Sequence, residues 1–290
     1  MPVKSTSSVL PPARQEHLCE LAEEIVSTHC IGSLIEPKCI ADANGITHSF
    51  GSYGDAFDGM LEHKAGHFHI YLNQNRLGHI YSPRSRFTFA HELGHYYIDE
   101  HRLALQSGRV PAHGSKSEFE SKNLVEQEAD FFASSLLMPP SRFLPSAKKA
   151  AKGLEGILKL SDSFSVSITS AANKYCNLNL IPCAIIKWNP NGYSWKRLST
   201  ETFRQQFRKT IENKAQIPHR SATERAFKGE TPPPEGFFQC GSVASAWFPY
   251  ISSGSFRDVI LIEQAISLKK FGVLTFLYPE SGIYQFEATF

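Results

Sequence analysis

The stretch Phe87-Thr88-Phe89-Ala90-His91-Glu92-Leu93-Gly94-His95-Tyr96-Tyr97-Ile98 restricts the fold more than any other part of the 290-residue chain. It has the form H-E-x-x-H. On a helix, residues four apart lie almost above one another, so His91 and His95 can offer two imidazole nitrogens to one metal ion. Glu92 lies one step round, close enough to handle a water at the metal without being a ligand. Zinc suits such a site, because it takes nitrogen and oxygen ligands tetrahedrally and keeps a position open when only three come from protein. With twelve histidines in the chain, a chance match is expected in about 3 per cent of such sequences, so the flanks matter. Ala90, Gly94, Tyr97 and Ile98 form an apolar stripe that half-buries the helix. Ser82-Pro83 and Ser85 are start signals, and Asp99-Glu100 with the residues after them mark an end.

A third ligand has two kinds of candidate. His101 lies six residues after His95, a spacing used by metzincins, but Ile98 stands where those proteases have a chain-reversing glycine. A helix that simply continues would carry His101 away from the His91/His95 face. The other candidate is in Leu124-Val125-Glu126-Gln127-Glu128-Ala129-Asp130-Phe131-Phe132-Ala133-Ser134-Ser135-Leu136-Leu137-Met138-Pro139. At about 100° per residue, Ala129, Phe132, Ala133, Leu136 and Leu137 cover one arc of a helix, and Glu126 falls inside it. A carboxylate facing a core is costly unless it is paired or bound to metal, so Glu126 is the expected third ligand. Glu128 falls outside the arc, free to be solvated. Asp130, one turn after Glu126, is either a contact to a ligand histidine or an exposed helix charge. Ala129 and Ala133 would let this helix approach the first closely, and Pro139-Pro140 ends it.

These segments together resemble the ImmA/IrrE family of zinc metallopeptidases. The residues that carry the resemblance are Asp58-Gly59-Met60-Leu61, Ile70-Tyr71-Leu72-Asn73, Arg86 to Tyr96, and Glu126 to Ala133 running into Leu136-Leu137-Met138-Pro139, within roughly residues 15 to 180. The resemblance implies a gluzincin-like site of His91, His95 and Glu126 holding Zn²⁺, with Glu92 as the general base. It also implies a protein substrate: family members cleave helix-turn-helix repressors of XRE type and so relieve repression. Tyr96 is a candidate oxyanion stabiliser.

Upstream, Leu18, Leu21, Ala22, Ile25 and Val26 recur at helical spacing. Met60 to Glu62 and His67 to Leu72 read as a hairpin, with Phe68, Ile70 and Leu72 facing the core and His67 and His69 the other side. An edge strand beside a metal helix can hold an extended peptide by its backbone. Residues 102 to 122 read as a surface loop with a lid or recognition role.

The expected organisation is α+β. A metallopeptidase domain of helices with a small sheet spans 1–150, a helix-turn-helix-like linker 151–180, and an α+β domain 181–290. For that last domain the resemblance implies a GAF-like sensory role with a small-molecule effector. Leu154, Ile157, Leu158 and Leu160 lead into the second helix of the linker, which ends near Tyr175 and carries little basic charge beyond Lys174, arguing for packing over DNA reading. A hairpin runs from Ile181 to Leu198 around Asn189-Pro190-Asn191-Gly192. A polar helix follows over Glu201 to Lys214, where Arg204, Arg208, Lys209 and Lys214 read as a solvated face, and another over Arg220 to Lys228. Val243 to Tyr250, Val259 to Ala265 and Phe271 to Leu277 read as strands.

Net charge is +2 with 20% charged residues, too even to imply a nucleic-acid or membrane surface. There is no apolar leader in residues 1 to 15 and no run of 18 apolar residues, and the six cysteines lack C-x-x-C spacing, so a cytoplasmic protein with reduced thiols is expected. Two other classes remain. One is a non-proteolytic zinc-containing regulator, marked by a closed fourth coordination position. The other is a toxin–antitoxin or phage-defence interaction module, marked by a partner that co-purifies uncleaved.

Overall fold

The computed structural model describes residues 10–30, 32, 34–108, 114–115, 123–200, 217–248 and 259–280. The chain divides into two compact units, residues 1–145 with 162–167, and residues 146–161 with 168–290. Both mix helices and sheet, so the fold is α+β as expected.

The first unit opens with α1 (Pro12–His29) and α2 (Pro37–Ala43), each started by a proline that pre-sets the first helical turn. Three strands follow, β1 (Thr47–Gly51), β2 (Gly59–Lys64) and β3 (His67–Asn73). Their order is β1-β3-β2, with β1 parallel and β2 antiparallel to the central strand. Ala65 and Gly66 both adopt positive φ (49° and 81°), the backbone that a two-residue hairpin turn demands. Phe68, Ile70 and Leu72 are buried, and His67 is exposed. His69 has hydroxyl partners at both ring nitrogens, Thr47 Oγ1 at 2.7 Å and Ser49 Oγ at 2.8 Å.

After the short α3 (Gln74–Leu77) comes α4 (Pro83–Tyr97), capped by Ser82, whose hydroxyl accepts from the Ser85 amide. It packs on β2 and β3 on one side and on α6 (Leu124–Leu137) on another, and α6 packs in turn on α1. Close approach of α4 and α6 depends on Gly94: a Cβ there would lie 3.1 Å from Phe132 Cδ1 and 3.2 Å from Ala129 Cα. Ala129, Phe132 and Ala133 are fully buried, the expected arc. Buried Arg86 holds together three segments of this unit, through Glu36 (2.7 Å), the Ile35 carbonyl (2.5 Å) and the Ser165 carbonyl (3.2 Å).

Two expectations need correction here. Residues 102–106 are not loop: the chain turns at Ile98, which has extended backbone, and starts α5 (Asp99–Gln106), with Asp99 and Glu100 favouring its N-terminal dipole. Of the stretch that follows, 109–113 and 116–122 lie outside the described residues. α7 (Pro140–Lys149) follows, and the boundary between the units falls inside it, at Pro145/Ser146.

The helices α8 (Leu154–Phe164) and α9 (Ile168–Asn177) are separated by Ser165-Val166-Ser167. Within the second unit, α9 buries Ala171, Ala172, Tyr175 and Cys176 and packs on the strands β4 (Ala184–Asn189) and β5 (Gly192–Leu198). A five-stranded antiparallel sheet, order β5-β4-β8-β7-β6, adds β6 (Phe238–Val243), β7 (Ile260–Ser267) and β8 (Val273–Pro279). α10 (Ala222–Phe227) packs on β6, β7 and β8. Trp188, Phe238, Phe248, Leu261 and Leu277 fill the core.

The second correction is local to β6. The expected strand from Val243 is the end of β6 followed by a helical turn, α11 (Ala244–Trp247), which turns Trp247 into the core. The helix expected over 201–214 and its basic residues lie outside the described residues. No helix among the described residues is long and apolar enough to cross a membrane.

Candidate metal centre

His91 and His95 sit one turn apart on the buried face of α4, and Glu126 reaches them from the first turn of α6, which starts at the Asn123 cap. His91 Nε2 lies 3.1 Å from His95 Nε2 and 3.2 Å from Glu126 Oε2, and His95 Nε2 is 3.5 Å from Glu126 Oε1. A tetrahedral ion bound at about 2.1 Å needs donor atoms about 3.4 Å apart, and the three spacings bracket that value. Among the described residues this is the group of His, Cys, Asp and Glu side chains close enough to hold a metal ion.

The electrostatics agree with that donor set. Burial disfavours a charge on His91, but hydrogen bonds to Asp130 and Glu126 and the nearby Glu92 carboxylate outweigh it, raising its pKa to about 10. The pocket stabilises positive charge between its carboxylates, which a divalent cation supplies.

Each histidine ring is held from behind. His91 Nδ1 is 2.8 Å from Asp130 Oδ1. The carboxylate can only accept, so Nδ1 carries a proton, and a cation at the centre would displace the other proton and take the Nε2 lone pair. Of the two readings open for Asp130, the structure gives a contact to His91 rather than an exposed helix charge.

His95 Nδ1 is 3.2 Å from His101 Nδ1, and His101 Nε2 is 3.0 Å from Glu128 Oε2. Glu128 accepts from Arg14 twice, at 2.8 Å each, and Arg14 also reaches Glu100. The Arg14 hydrogen bond holds the Glu128 carboxyl below its usual range. Burial lowers the His101 pKa despite Glu128, so His101 is neutral, donates from Nε2 and accepts at Nδ1. His95 therefore donates from Nδ1 and points its Nε2 lone pair inward. This chain of contacts corrects two expectations. His101 does not swing away, because α4 ends at Tyr97 and α5 brings the ring back behind His95. Glu128 is not a solvated helix charge, since Arg14 and His101 cover it and its side chain is 16% exposed.

Glu92 is 1% exposed. Its Oε1 accepts from the Ser115 hydroxyl and lies against Gly59, the first residue of β2. Tyr96 lies one turn beyond Glu92, its ring against Phe68 (centroids 5.0 Å) and Tyr97, with Arg102 over its face at 5.7 Å. Sequence reasoning missed Arg14, His101 and Ser115 as neighbours of the site. For His101 a signal existed, because Asp99-Glu100 is as good a helix start as a helix end.

A peptidase-family model, described as the IrrE N-terminal-like domain, matches residues 57–175. That span runs from just before β2 into α9 and contains His91, Glu92, His95, Glu126 and Asp130, while Arg14 on α1 lies outside it. No curated protein matches the chain significantly. Among solved structures, the chain is similar to a Mycobacterium tuberculosis transcriptional regulator at a TM-score of 0.56 and 14% identity, over 92% of this chain and 90% of the other. At that identity the likeness is one of fold.

Proposed function

We propose, from the match of residues 57–175 to an IrrE N-terminal-like domain of a peptidase family, that the chain is a zinc-dependent endopeptidase acting on a regulatory protein, an XRE-type helix-turn-helix repressor. The observation that carries this reading is the His91–His95–Glu126 cluster with the Glu92 carboxylate adjoining it on the same helix. His91 and His95 would hold the ion by Nε2 and Glu126 by a carboxylate oxygen. When bound, zinc supplies a Lewis acid that polarises the scissile carbonyl and makes water acidic enough to attack near neutral pH.

The remaining steps belong to the chain's own residues. Glu92 accepts the proton of the attacking water on its carboxylate and returns it to the leaving amine. Its burial keeps bulk water from competing for that proton. Asp130 and His101 hold the two imidazoles in the tautomers that turn Nε2 inward, so no reorientation is needed at each turnover. Strand β2, at the edge of its sheet and starting beside Glu92, offers backbone groups to an extended peptide.

All six cysteines are free thiols, which supports a reducing, cytoplasmic setting. The resemblance suggests in addition a sensory role for residues 181–290, one that couples a small-molecule effector to cleavage. The test is incubation of the zinc-loaded protein with candidate repressors, read as defined fragments by mass spectrometry. Wild type should cut one peptide bond and Glu92→Gln none. Equal cutting by both, or by neither against any repressor of the type, removes the proposal.

A further inference from the structure

Strand β2 has β3 on one side, and at its first residue the other side is already taken. Gly59 forms an antiparallel bridge with Ser115. The Asp58 amide donates to the Ser115 carbonyl and the Ser115 amide to the Gly59 carbonyl, both at 2.8 Å. The Ser115 hydroxyl reaches the Gly59 carbonyl (3.1 Å) and the Glu92 carboxylate. Ser115 is 3% exposed.

The fit allows only small residues. A Cβ on Gly59 would lie 2.5 Å from Thr88 Cγ2 and 2.7 Å from Glu92 Oε1, so the strand's start lies directly on the helix that carries the base. A Cβ on Gly114 would lie 2.3 Å from Phe57 Cβ. A backbone laid antiparallel on an edge strand, with a side chain directed at the base, is the posture a peptide substrate takes in strand addition.

We propose that Gly114 and Ser115 occupy the substrate-backbone position on β2, so that the chain closes its own site until this bridge opens. The proposal rests on the peptidase reading above. A substrate must displace two backbone hydrogen bonds and the hydroxyl contacts before it can pair with β2, and while Ser115 donates to Oε1 that oxygen is engaged rather than free to take a proton from water. Opening then depends on what competes for the edge: an extended segment of a protein substrate that pairs over several residues outmatches a two-residue bridge.

The test compares full-length zinc-loaded wild type with Ser115→Ala and Gly114→Val, using a fluorescein-labelled peptidyl hydroxamate for binding by anisotropy and an internally quenched unstructured peptide for turnover. A hydrogen bond contributes about 1 kcal/mol net, so losing the hydroxyl contacts should tighten probe binding about fivefold. Displacing Gly114 and Ser115 together with Gly114→Val should tighten it about tenfold or more, with kcat/KM rising in parallel. Ser115→Ala is close to isosteric and guards against a folding artefact in the valine variant. Unchanged or weaker binding in both variants, including a failure of every protein to bind the probe, overturns the occlusion. A lower kcat for Ser115→Ala with unchanged probe binding also overturns it, making Ser115 a positioning residue for Glu92. If binding tightens but no protein turns over beyond Glu92→Gln, the occlusion stands and the peptidase reading falls. If wild type cuts, Glu92→Gln does not, and neither variant binds or cuts better, the reverse holds.

Discussion

His101→Phe tests the support behind the centre without touching a proposed ligand. The substitution keeps a ring of similar size in a site where His101 is 7% exposed, so packing changes little. What it removes is the Nδ1 acceptor 3.2 Å from His95 Nδ1. His95, 4% exposed, then carries a buried N–H with that partner gone, which costs about 1–3 kcal/mol. The ring can recover the loss by rotating, or by moving its proton to Nε2, and either change withdraws the lone pair from the ion. Zinc affinity should fall by about 5- to 150-fold, each 1.4 kcal/mol being tenfold. Glu128→Gln should fall at the low end of that range, since a glutamine oxygen still accepts from His101 Nε2 while the charge that Arg14 pairs with is lost. The assay is competition against a chromogenic zinc chelator of known affinity, with circular dichroism to confirm the fold. Zinc affinities within twofold of wild type for both variants would refute the claim that this chain of contacts orients His95.

Three further outcomes follow from the packing and the charges. Gly94→Val places side-chain atoms where even a Cβ meets Phe132 and Ala129. It should cost about 1–3 kcal/mol in urea denaturation and lower metal content, because Glu126 moves away with α6. Phe132→Ala, which empties a fully buried ring site, should cost about 3–5 kcal/mol by the same measurement. Glu263 in the second unit is fully buried, accepts from the Thr223 amide and hydroxyl, and has its pKa raised by burial. A raised carboxyl pKa means that the folded state binds the proton more tightly than the unfolded chain. Its contribution is therefore fully present below the unfolded pKa and is lost as pH rises through the folded value. Glu263→Gln should raise the melting temperature at pH 7 and flatten its pH dependence above the ordinary carboxylate range, and a variant less stable than wild type at pH 7 contradicts that sign.

The parts legible in the sequence were those written in local periodicity. The H-E-x-x-H spacing put two histidines on one face of α4, the apolar arc of α6 turned Glu126 inward, and alternation in β3 sorted Phe68, Ile70 and Leu72 from the histidines between them. Long-range contacts were not legible. Glu128 is covered by Arg14, 114 residues away, and no pattern in either segment encodes that meeting. The position of His101 depends on a new helix starting at Asp99 directly after the turn at Ile98; Asp99-Glu100 marks the end of one helix and the start of another equally well, so the sequence did not say where the chain goes next. Val243 to Tyr250 read as a strand because a short apolar run fits either period; burial of Trp247 and Phe248 in the second core decides for a helical turn.

The central claim is that His91, His95 and Glu126 form one zinc site. Elemental analysis of Glu126→Ala, purified beside wild type and Glu92→Gln, tests it most directly. The account predicts about one zinc per chain in wild type and in Glu92→Gln and essentially none in Glu126→Ala. A full equivalent retained by Glu126→Ala, or no zinc that can be loaded into wild type, contradicts it.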